Sequence, residues 1–146
     1  MTTTTTNRDM QLDVLDDGMA CLSINMRGAK VNTLGRTAMT ELNELVDKVA
    51  RDPKIRALVI SSGKEDSFIA GADVKEIQII QERSLIEAHD AVKMGKEIFQ
   101  KIANLPFNTV AAINGICLGG GCELALACNY RIAKKKKKIG LPEIKL

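Results

Sequence analysis

The hydrophobic pattern near the start of the chain predicts a β-hairpin. Residues 10–15 and 19–25 are short, mainly apolar segments that read as two strands, and the intervening residues 16–18 (DDG) are a typical turn sequence. Residues 1–9 contain five consecutive threonines without apolar periodicity, so we expect a flexible tail there.

The pattern then changes to helical spacing. Between residues 37 and 50, apolar residues recur every three or four positions, while Glu41 and the other acidic residues fall on the opposite face. Pro53 ends this predicted helix region. Residues 56–62 form a short apolar run, which is typical of a strand buried on both faces.

A second, longer helix is predicted over residues 84–104. Its apolar residues have spacings of three and four, and Pro106 follows its end. The stripe that should face the core consists of Leu85, Ala88, Val92, Ile98, Phe99, Ile102 and Leu105.

The alternation of strands and helices continues beyond this helix. Another buried strand is expected over residues 108–114, and a short helix from about Cys122 onwards. Glycine-containing loops are expected at residues 63–73 and 115–121. This order of elements indicates an α/β fold, and no linker divides the 146 residues.

Composition and charge narrow the range of functions. Hydrophobic residues make up 45% and charged residues 27%, as in ordinary globular proteins, and no apolar run is long enough to cross a bilayer. The net charge of +3 arises from the cluster Lys134–Lys138, because the other 16 basic residues are balanced by 18 acidic ones. With 3% aromatic residues and localised basic charge, nucleic-acid binding is not indicated. We expect the lysine cluster to be a solvated hairpin, with a phosphate contact as the alternative.

The four cysteines, at positions 21, 117, 122 and 128, do not suggest a metal site. They form no C-x-x-C pair, and the single histidine, His89, lies far from the last three. Because the sequence shows no secretory signal, buried and reduced thiols are the favoured interpretation.

Two loops have the composition of an oxyanion hole. Residues 70–72 (AGA) and 119–121 (GGG) each lie between a predicted strand and a helix, and their small side chains leave the backbone accessible. Since the first amides of a helix lack partners within it, two such loops can direct two N–H donors at one oxygen. Close helix–strand packing is the alternative explanation for the glycines. The sequence contains neither G-x-G-x-x-G nor the phosphate-binding G-x-x-x-x-G-K-[ST].

Glu123 and Glu143 are candidate proton-transfer groups. Glu123 lies in the first turn after the triple glycine among apolar neighbours, and Glu143 has a similar setting. Two carboxylates that share an apolar site separate into one acid and one base. For Glu123, a favourable interaction with the helix dipole alone is the alternative.

Three segments of the chain carry a resemblance to a known family. Residues 68–76, 111–125 and 140–144 read FIAGADVKE, AAINGICLGGGCELA and GLPEI. In this order they are similar to motifs of the crotonase superfamily of enoyl-CoA hydratases and isomerases, and the similarity is collinear from Met10 to Leu146. Residues 30–34 (KVNTL) and the leucine before Pro142 most resemble the hydratase domain of multifunctional fatty-acid oxidation alpha subunits.

The resemblance implies a fold and a domain organisation. The fold would be of the α/β class, a crotonase-like stacked β-β-α superhelix that is truncated at its C-terminus. Residues 10–146 would be an enoyl-CoA hydratase domain that is incomplete at this end, because the superfamily continues with helices that close the acyl pocket.

The resemblance also implies roles for individual residues. Ala72 and Gly120 would donate the two oxyanion-hole amides to the thioester carbonyl. Glu123 would activate the water that adds to the β-carbon, and Glu143 would supply a proton to the α-carbon. The coenzyme A part of the substrate would contact Ala70, Gly71, Asp73, Lys75 and Lys30.

Hydration of trans-2-enoyl-CoA in fatty-acid β-oxidation is the predicted activity, because isomerases of the superfamily usually keep only one of the two acidic residues. The alternatives are an isomerase, or a fragment that binds acyl-CoA or a partner subunit without catalysis. No cofactor is implied, and NAD would serve only a dehydrogenase domain elsewhere in a longer protein. We expect an oligomer or a complex with a thiolase subunit, located in the bacterial cytoplasm or the eukaryotic mitochondrial matrix.

Overall fold

A computed structural model describes residues 2–6 and 9–142 of the chain. Within these residues the chain forms nine strands and four helices. The strands are β1 (Thr3–Thr6), β2 (Met10–Val14), β3 (Met19–Ile24), β4 (Ala57–Ser62), β5 (Ser67–Ile69), β6 (Asn108–Ile113), β7 (Ile116–Leu118), β8 (Tyr130–Ala133) and β9 (Ile139–Gly140). The helices are α1 (Arg36–Arg51), α2 (Val74–Arg83), α3 (Leu85–Ala103) and α4 (Gly120–Ala127).

The strands form two sheets that the chain enters in turn. The larger sheet has the order β1-β2-β3-β4-β6-β8, and the smaller, all-parallel sheet has the order β5-β7-β9. From β4 onwards each strand of the larger sheet is followed by one of the smaller sheet, and helices make the return connections. This is the stacked β-β-α arrangement of an α/β fold that the sequence predicted.

The N-terminal hairpin is confirmed, but the residues before it differ from the expectation. β2 and β3 pair antiparallel, with Leu12 opposite Leu22. Thr3–Thr6 form a strand along the outer edge of β2, where the sequence predicted a flexible tail over residues 1–9. The physical reason is that β-branched threonines suit strands and the hairpin edge offers unpaired backbone groups.

The hydrophobic core packs α1 and the C-terminal half of α3 against the larger sheet. Its fully buried members include Leu12, Leu22, Leu42, Leu45, Leu58, Ile60, Ile98 and Ile102. The apolar face predicted for α1 is confirmed. Glu41, however, does not face outward: it is buried, and its carboxylate accepts hydrogen bonds of 3.0 and 3.2 Å from the Asp9 N–H. These bonds offset the cost of burying the charge.

The apolar stripe predicted for α3 is wrong in its N-terminal half. Ile98 and Ile102 are buried, whereas the side chains of Leu85 and Val92 are 90% and 73% exposed. The spacing of apolar residues identifies one face of a helix, but it does not show how far along the helix the neighbouring elements reach.

Between β4 and α4, three elements were not anticipated from the sequence. β5 and β7 lie within the segments predicted as loops, and α2 fills residues that had no assignment. A strand of three residues is too short to show an alternating pattern, so only its pairing partners reveal it. These two short strands are what positions the candidate site.

Candidate active site

The two small-residue loops lie side by side. Because β5 and β7 are parallel neighbours, the loops that follow them leave the smaller sheet at the same edge. A β-carbon on Gly121 would lie only 2.5 Å from the Ile69 carbonyl oxygen, so glycine is required for this close approach. Gly71 adopts φ +116°, and its backbone faces the Leu118 carbonyl. The loops therefore contact each other directly.

Leu34 joins the two loops from a third position in the chain. Its N–H donates to the Gly71 carbonyl at 2.9 Å, and its backbone pairs with Ala72 in an isolated parallel bridge. Its Cδ1 atom lies 3.2 Å from the position that a β-carbon on Gly120 would take. One residue thus contacts both predicted donors of the oxyanion hole.

The backbone amides of Ala72 and Gly120 are available for an external acceptor. Among the residues that the structure describes, neither N–H group donates to another protein group. Gly120 is the first residue of α4, where an amide has no acceptor within the helix. The structure therefore brings together two loops, and each carries an amide that donates to none of residues 2–6 and 9–142.

Glu123 lies beside the Gly120 loop. Its N–H donates to the Gly119 carbonyl at 3.0 Å, and its Oε2 atom lies 3.9 Å from the position of a β-carbon on Gly120. The carboxylate is consequently held at the N-terminus of α4, where the helix dipole favours negative charge. The side chain is exposed, in contrast to the apolar surroundings inferred from its sequence neighbours. Cys122 and Leu124 are buried because helical geometry directs consecutive side chains about 100° apart.

Glu143 lies outside the described residues. β9 pairs in parallel with β7, and the Gly119 N–H donates to the Gly140 carbonyl at 3.0 Å. The described chain therefore leaves β9 at the edge where the loops after β5 and β7 also begin.

Residues predicted to contact coenzyme A fall into three groups. The Ala70 N–H and the Gly71 carbonyl are used in hydrogen bonds that hold their loop. Lys75 and Lys30 are exposed. Asp73 caps α2, since its Oδ1 atom accepts from the backbone N–H of Lys75 at 3.0 Å and of Glu76 at 3.3 Å.

Asn32 organises the region, although the sequence did not single it out as functional. Its side chain is fully buried, and its own carbonyl accepts from the Ala70 N–H at 2.8 Å. The side-chain amide binds the Met26 N–H, the Ile24 and Phe68 carbonyls and Ser62 Oγ at 2.9–3.0 Å. Asn32 thereby ties the ends of β3, β4 and β5 to the Ala70 loop. Asparagine is common in turns, so composition alone did not reveal this role.

The lysine cluster Lys134–Lys138 crosses between the two sheets. It joins β8 to β9, which belong to different sheets, so the predicted hairpin is wrong. Lys137 Nζ lies 2.7 Å from Asp66 Oδ1, and this hydrogen bond lowers the pKa of Asp66. At least one lysine of the cluster is therefore engaged in an intramolecular ion pair.

The cysteines match the predicted buried thiols in three of four cases. Cys117, Cys122 and Cys128 are buried, Cys21 is half-buried, and none of these four thiols forms a disulfide bond. Burial raises the pKa of Cys117 to about 12 and that of Cys128 to about 11, which disfavours the nucleophilic thiolate. Within residues 2–6 and 9–142, no group of three or more potential metal ligands occurs, and no helix has the length and apolar character to cross a membrane.

Comparison with known proteins gives a consistent result. The sequence model of the enoyl-CoA hydratase/isomerase family matches residues 16–146. The fatty acid oxidation complex subunit alpha of Aliivibrio fischeri is 46% identical over 134 residues, which cover 90% of this chain and 19% of that protein.

Solved structures show the same relationship. An enoyl-CoA hydratase from Geobacillus kaustophilus superposes with a TM-score of 0.91 at 27% identity, covering 99% of this chain and 53% of that one. The enoyl-CoA hydratase of Bacillus anthracis gives a TM-score of 0.85 at 31% identity, with coverages of 94% and 52%. The chain spans about a fifth of the curated relative and about half of each solved structure.

Proposed function

The chain belongs to the enoyl-CoA hydratase/isomerase family, and we propose that it forms the front part of an enoyl-CoA hydratase. The substrate would be a trans-2-enoyl-CoA thioester of fatty-acid β-oxidation, and the product a 3-hydroxyacyl-CoA. The adjacent loops of Ala72 and Gly120 support this function most directly. Both loops lie at one edge of the smaller sheet beside the Glu123 side chain, and each carries a backbone amide that donates to none of the described residues.

The two amides would act on the thioester oxygen. When water adds to the β-carbon, negative charge develops on this oxygen, and preorganised N–H donors stabilise the charge without rearrangement. Hydrogen bonds with Leu34 and Asn32 hold the backbone of the Ala72 loop in place. Removing one donor from such a pair typically costs about a hundredfold to a thousandfold in rate.

The two carboxylates would transfer the protons. Glu123 would take a proton from water as the water oxygen bonds to the β-carbon, and Glu143 would give a proton to the α-carbon. The carbon–carbon double bond is consumed, one water is added, and no electrons are gained or lost. Proton transfer by a positioned side chain contributes about a hundredfold to ten-thousandfold. No cofactor is required for this addition.

Binding of the coenzyme A moiety would use the exposed ammonium groups of Lys30 and Lys75 for phosphates. The backbone of Ala70 and Gly71 would line the thioester. Asp73 would contribute indirectly, because its carboxylate caps α2 and so fixes the loop that contains Ala72.

We further propose that activity needs residues beyond position 146. The chain covers about half of the solved hydratases, and apolar side chains at its last strands are exposed, including those of Ile132, Ile139 and Leu141. The 146 residues alone would then bind acyl-CoA weakly and turn it over slowly, since misplacing a catalytic group by about 1 Å can cost about a hundredfold. As part of a longer protein, the chain would form a complex with a thiolase subunit. That protein would be located in the bacterial cytoplasm or the mitochondrial matrix.

Hydration of crotonyl-CoA tests both proposals. The full-length protein that carries this sequence should hydrate the thioester, and Glu123→Gln should lose most of the rate while its affinity for the thioester stays within about threefold. Glu97→Gln, an exposed glutamate on α3, is the matched control and should keep the parental rate. A Glu123→Gln protein with the parental rate contradicts the hydratase assignment.

The 146-residue chain should be assayed in parallel. We expect little hydration from it, and no NADH when NAD and 3-hydroxybutyryl-CoA are added, because dehydrogenation would need a nucleotide-binding domain. A chain of 146 residues with full hydratase activity would contradict the need for further residues. Conversion of a 3-enoyl-CoA to its 2-enoyl isomer without hydration would favour an isomerase instead.

A further inference from the structure

The Glu76 side chain makes an unusual tertiary contact close to the Ala72 loop. Its Oε2 atom accepts a hydrogen bond of 2.6 Å from the backbone N–H of Arg36, the first residue of α1. Nothing in α1 itself supplies this contact, because its N-cap residue Gly35 has no side chain and its first turn contains no acidic residue. Glu76 therefore provides, from another helix, the negative charge that a helix N-terminus favours.

The local sequence would predict a different contact for Glu76. Asp73 and Glu76 have the spacing of a capping box, in which the second carboxylate returns to the N-cap of its own helix. One half of this motif is present, since Asp73 Oδ1 accepts from the Glu76 N–H at 3.3 Å. The Glu76 carboxylate instead reaches α1 and ties the two helix N-termini together.

Gly35 is fitted to this contact. A β-carbon at Gly35 would lie 2.9 Å from Glu76 Oε2 and 3.0 Å from Oε1, so the carboxylate packs directly against the glycine. The backbone of Gly35 is extended, with φ −89° and ψ 177°, which any residue can adopt. The requirement for glycine here is therefore space for the carboxylate rather than backbone conformation.

This contact lies between the two segments that define the Ala72 donor. Leu34, which binds the Gly71 carbonyl and bridges Ala72, immediately precedes Gly35. On the other side, Ala72 and Asp73 immediately precede α2, which carries Glu76. The Glu76 carboxylate thus links the two segments on either side of the Ala72 backbone, which Leu34 already joins by its own hydrogen bond.

We infer that Glu76 is a positioning residue for the proposed oxyanion hole, an inference that rests on the hydratase function proposed above. It holds α2 against the N-terminus of α1, and it thereby sets the direction of the Ala72 N–H relative to the Gly120 loop. It does not touch the reacting atoms.

The inference is tested with three variants of the full-length protein. Glu76→Ala removes the carboxylate, Gly35→Ala displaces it, and Glu76→Gln keeps an acceptor oxygen. Glu82→Ala, an exposed glutamate on the same helix, is the matched control. We expect the two alanine variants to lower kcat for crotonyl-CoA by about tenfold to a hundredfold with KM within about threefold, and Glu76→Gln to restore part of the rate.

The double variant Gly35→Ala/Glu76→Ala distinguishes positioning from separate damage. Both substitutions break the same contact. The decrease in kcat of the double variant should therefore not exceed that of the worse single variant by more than about twofold. Parental kcat in Glu76→Ala, or losses that multiply in the double variant, would overturn the inference.

Amide hydrogen exchange gives a readout that does not depend on hydration. The N–H groups of Leu34 and Ala70 report on the loop directly, because both donate within it. In Glu76→Ala they should exchange about threefold to tenfold faster, while amides in β3 remain as in the parent. Unchanged exchange at both positions overturns the inference. Faster exchange in a protein without any hydratase activity would support the positioning role and refute the proposed function.

Discussion

Replacement of Gly120 by alanine should separate activity from stability. Gly120 does not have a positive φ, and the nearest atom to an added β-carbon is Leu34 Cδ1 at 3.2 Å, the end of a flexible side chain. Leu34 needs to move by a few tenths of an ångström, while a glycine-to-alanine change in a helix stabilises it by up to about 1 kcal/mol. The two effects offset each other, so the free energy of unfolding should change little.

The neighbouring Gly121 provides the control for stability. A β-carbon there would lie 2.5 Å from the Ile69 carbonyl oxygen and 2.7 Å from Ile69 Cβ, and neither atom can move without displacing β5. Overpacking of this kind costs about 1–3 kcal/mol. Gly121→Ala should therefore lower the unfolding midpoint, whereas Gly120→Ala should not.

The effect of Gly120→Ala on activity follows from where the new methyl group lies. It would be 3.9 Å from Glu123 Oε2, in the space where the proposed thioester substrate would approach both the amide and the carboxylate. Complete loss of an oxyanion-hole donor lowers kcat by about a hundredfold to a thousandfold. A methyl group that only shifts the thioester oxygen should cost about tenfold to a hundredfold, and the branched side chain of Gly120→Val should cost more.

Two measurements on the full-length variants separate the effect on activity from the effect on stability. Hydration of crotonyl-CoA is followed by the loss of the conjugated enoyl absorbance, and thermal unfolding is followed by circular dichroism. We expect low kcat with parental stability for Gly120→Ala and for Gly120→Val a larger loss of kcat. A Gly120→Val protein with the parental rate would refute the assignment of an oxyanion donor to this loop, whatever its stability.

Three further predictions concern other parts of the chain. Glu143→Gln in the full-length protein should reduce crotonyl-CoA hydration by about a hundredfold to ten-thousandfold with thioester binding retained, and a fully active variant would exclude Glu143 as the proton donor. Because the hydrogen bond from Lys137 lowers the pKa of Asp66, its stabilisation is present above the ordinary aspartate pKa and is lost as the pH falls through the lowered value. The difference in urea midpoint between the parent and Asp66→Asn should accordingly disappear in acid, and a constant difference at all pH values would exclude this ion pair as its source. Iodoacetamide should alkylate the half-buried Cys21 before the buried Cys117, as mass spectrometry of the native protein can show, and the reverse order would contradict the burial of these two thiols.

Local sequence was sufficient wherever a pattern extends over many residues. The β2–β3 hairpin and α1 are confirmed, and β4 and β6 are strands as predicted. Burial alternates along both strands, however, so the expectation that β4 is buried on both faces is wrong. The small residues of the two loops and the position of Glu123 after the triple glycine are also evident in the sequence. Small side chains indicate an accessible backbone wherever they occur, so this feature needs no knowledge of the fold. The amino-acid sequence alone therefore identifies the chemical groups of the candidate site.

Tertiary structure alone decided which of these groups meet. Parallel pairing of the three-residue strands β5 and β7 places the Ala72 and Gly120 loops at one edge, and pairing between distant segments leaves no periodic signal in either segment. The burial of Glu41 and the exposure of Leu85 likewise depend on which elements pack against each helix. Asn32 and Glu76 form their decisive hydrogen bonds with residues 36 and 40 positions away, respectively, so no local pattern could have indicated them. A sequence specifies which groups are available, whereas the packing of distant segments determines which of them act together.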